Sequence, residues 1–140
     1  MIGSFATLEV FPVMTLPINI LGVPLMDKDH AHLDAMLLRA SQAVEAALPE
    51  LLMEIEAETR AHFGREEELM RSAQVPVLHC HLGQHEFFLS QFDQGREAAA
   101  RGDTARLRRF LCADLPELFR DHVGTVDRVT AGFLQDNVEA

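Results

Sequence analysis

The stretch Leu52-Met53-Glu54-Ile55-Glu56-Ala57-Glu58-Thr59-Arg60-Ala61-His62-Phe63-Gly64-Arg65-Glu66-Glu67-Glu68-Leu69 decides the fold. Leu52, Ile55, Thr59, His62, Glu66 and Leu69 recur at three- and four-residue steps, the period of one face of an α-helix. An imidazole and a carboxylate four apart on that face point the same way, toward whatever the face packs on. Each such group buried without a partner costs about 1–3 kcal/mol or more. The stretch therefore reads as a helix that delivers polar side chains to the inside of a helical assembly.

Three further segments repeat the pattern. His81-x-x-x-His85 shares a face with Phe88 and Phe92, on a helix expected from Pro76 to about Arg101. Upstream, Leu33, Leu37, Ala40 and Val44 follow His30 at helical steps, on a helix expected over residues 28–48 with Asp27 as its N-cap. Pro49 then opens the helix that carries the first stretch, which ends near Ala73. Gly102-Asp103 is a stop followed by an N-cap. Beyond it the spacing predicts a short helix over residues 104–113, a break or kink at Pro116 with Asp114 and Glu117 as a capping box, and a helix to about Gln135. His122 lies on that last helix. No strand pattern competes. The fold expected is all-α, an up-down four-helix bundle over residues 27–140, with residues 1–26 as an irregular arm packed on it.

Composition narrows the function. The chain has 140 residues, 48% apolar, with a net charge of −10. One globular domain is expected, and nucleic acid and anionic membrane are excluded as partners. Residues 10–26 are apolar, but Pro12, Pro17, Asn19 and Pro24 break them too often for a membrane helix, and no basic leader or cleavage site is visible. Cys80 and Cys112 form no paired motif. They read as small packing residues in a cytoplasmic protein.

The chemistry lies in the histidines and acids. His30, His62, His81, His85 and His122, with Glu66 and Asp127, are seven candidate metal ligands. A tetrahedral zinc takes four and a facial-triad iron three, so seven suit two ions with the carboxylates bridging. Imidazole-rich, thiolate-free ligation suits iron, with zinc, manganese and copper as alternatives. Asp127 is the awkward member, because five residues place it about 140° round an ideal helix from His122. His32 and His79 fall off the ligand faces and are expected at the surface. Glu67 is placed to hydrogen-bond a ligand imidazole, while Leu33, Phe63, Phe88 and Leu118 are expected to wall a dry pocket.

Taken in order, the segments resemble hemerythrin, in its bacterial branch. The resembling residues are Gly22-Val23-Pro24-Leu25-Met26-Asp27-Lys28-Asp29-His30-Ala31-His32-Leu33, His62-Phe63-Gly64-Arg65-Glu66-Glu67-Glu68-Leu69-Met70, His81-x-x-x-His85-x-x-Phe88 and His122-x-x-x-x-Asp127, within residues 22–134. The resemblance implies two non-haem iron ions with an oxo or hydroxo bridge. His81, His85 and His122 would bind one, His30 and His62 the other, and Glu66 and Asp127 both. Asp127 enters the set on this ground. The open position on the His30/His62 iron would bind dioxygen reversibly, for carriage, storage or sensing rather than as an enzyme. Where bacterial relatives often carry Trp before the last histidine, this chain has Leu118 and Phe119. Two other readings stand beside this one. One is a di-iron oxidase, peroxidase or nitric-oxide enzyme, although such bundles favour Glu-x-x-His pairs, which are absent here. The other is a signalling module that meets a protein partner through the N-terminal arm.

Overall fold

Pro24 sets where the chain becomes helical. Its fixed φ and missing N–H suit a first turn, and helix α1 runs Pro24–Gln42 in the computed structural model, which describes residues 20–137. Asp27, expected as the N-cap, lies inside the first turn instead. Its carboxylate reaches back to accept from the backbone N–H of Leu21 at 2.8 Å and of Gly22 at 3.1 Å. The helix thus begins four residues before the expected boundary, and Leu21, Val23 and Met26 are all buried. Residues 1–19 of the expected arm lie outside the described residues.

α1 also ends earlier than expected. Ala43 and Val44 are extended, and a 3₁₀ turn over Glu45–Ala47 leads into α2, Leu48–Ser72. Pro49 sits in the first turn of α2 as expected and cannot continue a preceding helix, so the chain must reverse upstream of it. The reversal turns Val44 out to 72% exposure, off the core face assigned to it. The Arg108 side chain donates to the Ala43 carbonyl at 2.8 Å, closing this end of the bundle.

The third arm is two helices rather than one: α3, Leu78–Ser90, and α4, Phe92–Ala100. Between them the backbone tightens to three-residue bonds, Gln91 N–H to Phe88 O and Gln94 N–H to Gln91 O. Gly102 takes φ +68° and Asp103 caps the next helix by accepting from the Arg106 N–H, both as expected.

The fourth arm departs most from expectation. α5 (Thr104–Arg109), α6 (Leu115–His122) and α7 (Arg128–Asn137) are joined by two π turns, Phe110–Asp114 and Val123–Asp127, into one unbroken helical run. No break falls at Pro116. The first π turn closes five residues back, Leu115 N–H to Phe110 O, immediately before the proline. Pro116 then occupies the second position of α6, where no N–H is needed. Asp114 does not cap; it pairs with Arg106 at 3.0 Å.

All described elements are helical, and they form the expected four-helix bundle. Its core has two parts. A larger cluster includes Leu33, Ile55, Phe92, Leu107, Phe110 and Leu115. A smaller one holds Leu21, Val23, Met26, Met70, Val75, Ala131 and Leu134. Every arm runs from one cluster to the other, as from Met26 to Leu33 or from Phe63 to Met70, and the histidines and acids lie on the span between.

Gly95 on α4 packs closely against the larger cluster. A Cβ there would stand 2.9 Å from both Leu52 Cδ1 and Phe110 Cδ2. Gly95→Ala is expected to destabilise the fold by about 1–3 kcal/mol through overpacking. Gly83→Ala, where nothing lies within 4 Å, is expected to stabilise it by up to about 1 kcal/mol through helix propensity. Urea unfolding of the two variants checks both signs.

Candidate metal centre

Seven buried polar side chains converge between the two apolar clusters. His30 comes from α1, His62 and Glu66 from α2, His81 and His85 from α3, His122 from the last residue of α6, and Asp127 from the second π turn. All seven residues singled out from the sequence are therefore brought together. They form two groups, Glu66-His81-His85-His122-Asp127 and His30-His62-Glu66-Asp127, each with its ligating atoms within 4.8 Å of one another.

The carboxylates belong to both groups, and each divides its oxygens between them. Glu66 Oε2 lies 3.0 Å from His62 Nε2 and 3.6 Å from His30 Nε2, while Oε1 lies 3.3 Å from His81 Nε2 and 3.1 Å from His85 Nε2. Asp127 Oδ2 lies 2.9 Å from His30 Nε2, and its Oδ1 lies 3.1 Å from both His81 and His122 Nε2.

The π turn explains Asp127. In a regular α-helix the fifth residue after His122 faces well away from it. A π turn closes one residue later, so the side chain five positions on returns above the starting one. Val123–Asp127 is that turn, and it brings Asp127 over His122 with full burial.

Several of these atoms lack oriented partners. Among the described residues, His30 Nε2, His81 Nε2, His122 Nε2, Glu66 Oε2 and both Asp127 oxygens are buried without a well-formed hydrogen bond. Lone pairs that converge about 3 Å apart, without donating to one another, face a common point. Buried polar atoms left so would be costly, and a cation at that point satisfies them together. Imidazole nitrogen with carboxylate oxygen is a donor set for first-row transition metals, so the residues present fit a metal centre.

The far side of three imidazoles is held as well. His62 Nδ1 lies 3.0 Å from Asp29 Oδ2, His85 Nδ1 2.8 Å from Glu67 Oε2, and His81 Nδ1 2.6 Å from Thr130 Oγ1. With Nδ1–H donating outward, each Nε2 lone pair is aimed inward. Glu67 was expected in this role; Asp29 and Thr130 were missed. Their signal was positional. Asp29 lies on the buried stripe of α1 between Met26 and Leu33, and Thr130 follows Asp127 by three.

Aromatic rings close the remaining faces. Phe63 stacks on His85 with centroids 3.7 Å apart and planes 7° apart, and Phe88 meets His122 edge-on at 5.7 Å. Leu33 is buried and Leu118 half-buried in the adjoining cluster. His32 and His79 are exposed as expected. Cys112 is buried, but Cys80, expected as a packing residue, is exposed because it falls on the outer face of α3 beside His81.

Without a metal, protons take its place. Burial alone would lower the pKa of His30 and His81, but the Asp127 and Glu66 carboxylates outweigh it and raise both to about 9. Burial would raise Glu66 and Asp127, and the surrounding imidazoles instead hold both below the ordinary carboxylate range.

Comparison with known proteins agrees with this geometry. The family model described as the hemerythrin HHE cation binding domain matches residues 21–134. A bacteriohemerythrin from Ralstonia nicotianae is 37% identical over 114 residues, which is 81% of this chain and 82% of that protein. No solved structure matches the chain.

The metal-free protein is expected to lose stability as pH rises from 6.5 to 9. The raised pKa values of His30 and His81 contribute fully below the unfolded value of 6.5 and are lost through about 9. Glu66 and Asp127, being depressed, contribute above ordinary carboxylate values and are lost only as pH falls through their lowered ones. Calorimetry of metal-free protein across this range should show Tm falling toward pH 9; a flat or rising Tm would contradict the assignment.

Proposed function

The chain belongs to the hemerythrin family, and from that premise we propose that it holds two non-haem iron ions and binds dioxygen reversibly. His81, His85 and His122 hold one ion and His30 and His62 the other, while Glu66 and Asp127 span both. One observation carries this reading: each carboxylate presents one oxygen to each histidine group. Two such bridges offset part of the charge of two cations in a buried site.

Iron held there supplies an open coordination position and the electrons that binding dioxygen requires. The protein's part is to shape and dry the site. Three imidazoles and two carboxylates would leave less room on one ion than two imidazoles and the same carboxylates on the other, so the ion held by His30 and His62 would be the one with room for a ligand. Phe63 packs on His62, His85 and His122, and Phe88 on His122. Asp29, Glu67 and Thr130 hold three of the imidazoles from behind, at the Nδ1 atoms turned away from the Glu66 and Asp127 carboxylates. Keeping water and protons out favours release of oxygen unchanged over its reduction. The same reversible step serves a carrier, a store or a sensor. Enzymatic turnover is not part of this reading. No helix of the described residues is long and apolar enough to cross a membrane, and both cysteines are free, which supports a reducing, cytoplasmic setting.

Metal analysis with absorption spectroscopy tests the proposal. Reduced, iron-loaded protein should hold two irons per chain, gain visible bands on exposure to air, and lose them when oxygen is removed. A single bound zinc, or irreversible bleaching with consumption of oxygen, would overturn it. Glu66→Ala should lower the content of both ions, whereas His122→Ala should lower it chiefly to one.

A further inference from the structure

One outward hydrogen bond at the centre differs from the others. The Asp29 oxygen that accepts from His62, Oδ2, also accepts from Arg65 Nε at 2.8 Å. Arg65 is itself held at its other end by Glu58, 2.7 Å away. Among the described residues no Lys or Arg lies within ion-pair reach of Glu67, the carboxylate behind His85. Thr130, behind His81, carries no charge.

The chemical consequence follows from what an outer carboxylate does. A carboxylate that accepts from an imidazole N–H pushes electron density through the ring and makes the opposite nitrogen a stronger donor. A guanidinium on the same oxygen draws that density away. Arg65 is thus placed to oppose Asp29. The Arg65 side chain is 41% exposed and that of Asp29 12%, so the guanidinium reaches from the surface onto a carboxylate that faces the centre. It borders a surface hollow lined by Leu25, Lys28, His32 and Glu58.

We propose that Arg65 is a positioning residue for the metal centre: by sharing Asp29 Oδ2 with His62 Nδ1–H, it limits the charge placed behind His62 and so favours the ferrous state of the ion that His62 holds. The proposal rests on the iron reading above. It gives the two ions unequal surroundings. The side on which oxygen binds carries a cation-tempered imidazole, and the other carries His85 backed by an untempered carboxylate.

Two substitutions separate this from a structural role, because their effects have opposite signs. Asp29→Asn removes the push: the midpoint potential of the iron-loaded protein should rise, and Co²⁺ should bind one position roughly 10–100-fold more weakly, as for other losses of outer support. Arg65→Met removes the restraint: the midpoint potential should fall, with the ferric-to-ferrous ratio at fixed potential rising up to about tenfold, equivalent to ~59 mV for one electron. Co²⁺ should then bind as tightly as to the unsubstituted chain or more so. Circular dichroism shows that each variant is folded. If Arg65→Met moves the potential and Co²⁺ affinity in the same direction as Asp29→Asn, or leaves the potential unchanged, the proposal fails. If the chain takes up no iron, the iron reading fails, while the Co²⁺ titrations still report the opposed roles of the two residues.

Discussion

Two carboxylates enclosed by five imidazoles at the middle of the core are the constraint on which the rest depends. Neither Glu66 nor Asp127 has access to solvent, and a buried charge is tolerated only with opposing charge close by. Every arm must therefore bring an imidazole or a carboxylate to the same point. That requirement fixes the rotation of α2 and α3 about their own axes, the depth of α1, and the path of the fourth arm. The apolar clusters above and below supply most of the cohesion. They would accept many small rotations of the helices, and the polar centre does not.

The four-arm plan was readable because its signal is redundant. Leu52, Ile55, Thr59, His62 and Glu66 mark one face several times over, and Pro49, Gly102 and Asp103 are punctuation whose physics is local. Features set by tertiary packing were not readable. Asp27 has the chemistry of a cap, yet it serves the incoming chain because Pro24 can start the helix earlier. Val44 keeps the helical period of its predecessors, but the reversal ahead of Pro49 takes it out of the helix. Gln91 carries no breaker residue, and only packing tightens the chain there.

The candidate centre was legible to a different depth in each of its layers. Pairs four apart on α2 and α3 declare themselves by spacing alone. Asp127 did not, because helix spacing assumes α-geometry and the relevant turn is not α. The outer partners were nearly silent. Asp29 and Thr130 look like ordinary polar residues until the helices are assembled, and only their places on buried stripes set them apart. Glu67 could be anticipated because its neighbour Glu66 already marked the face.

The second π turn has a consequence that extends past the metal. A π turn accommodates one residue more than the α-turn it replaces, so every side chain after it is set back by about 100° relative to an uninterrupted helix. α6 and α7 are therefore out of phase, although the backbone between them never breaks. Phe119 and His122 face the larger cluster and the centre in one phase; Thr130, Ala131 and Leu134 face His81 and the smaller cluster in the other. A single stripe like that of residues 52–69 would serve one of those surfaces and miss the other. The widened turn works as a phase coupling between two helical rods, and the length of the chain between residues 122 and 130 is as much a part of the centre as the residues themselves.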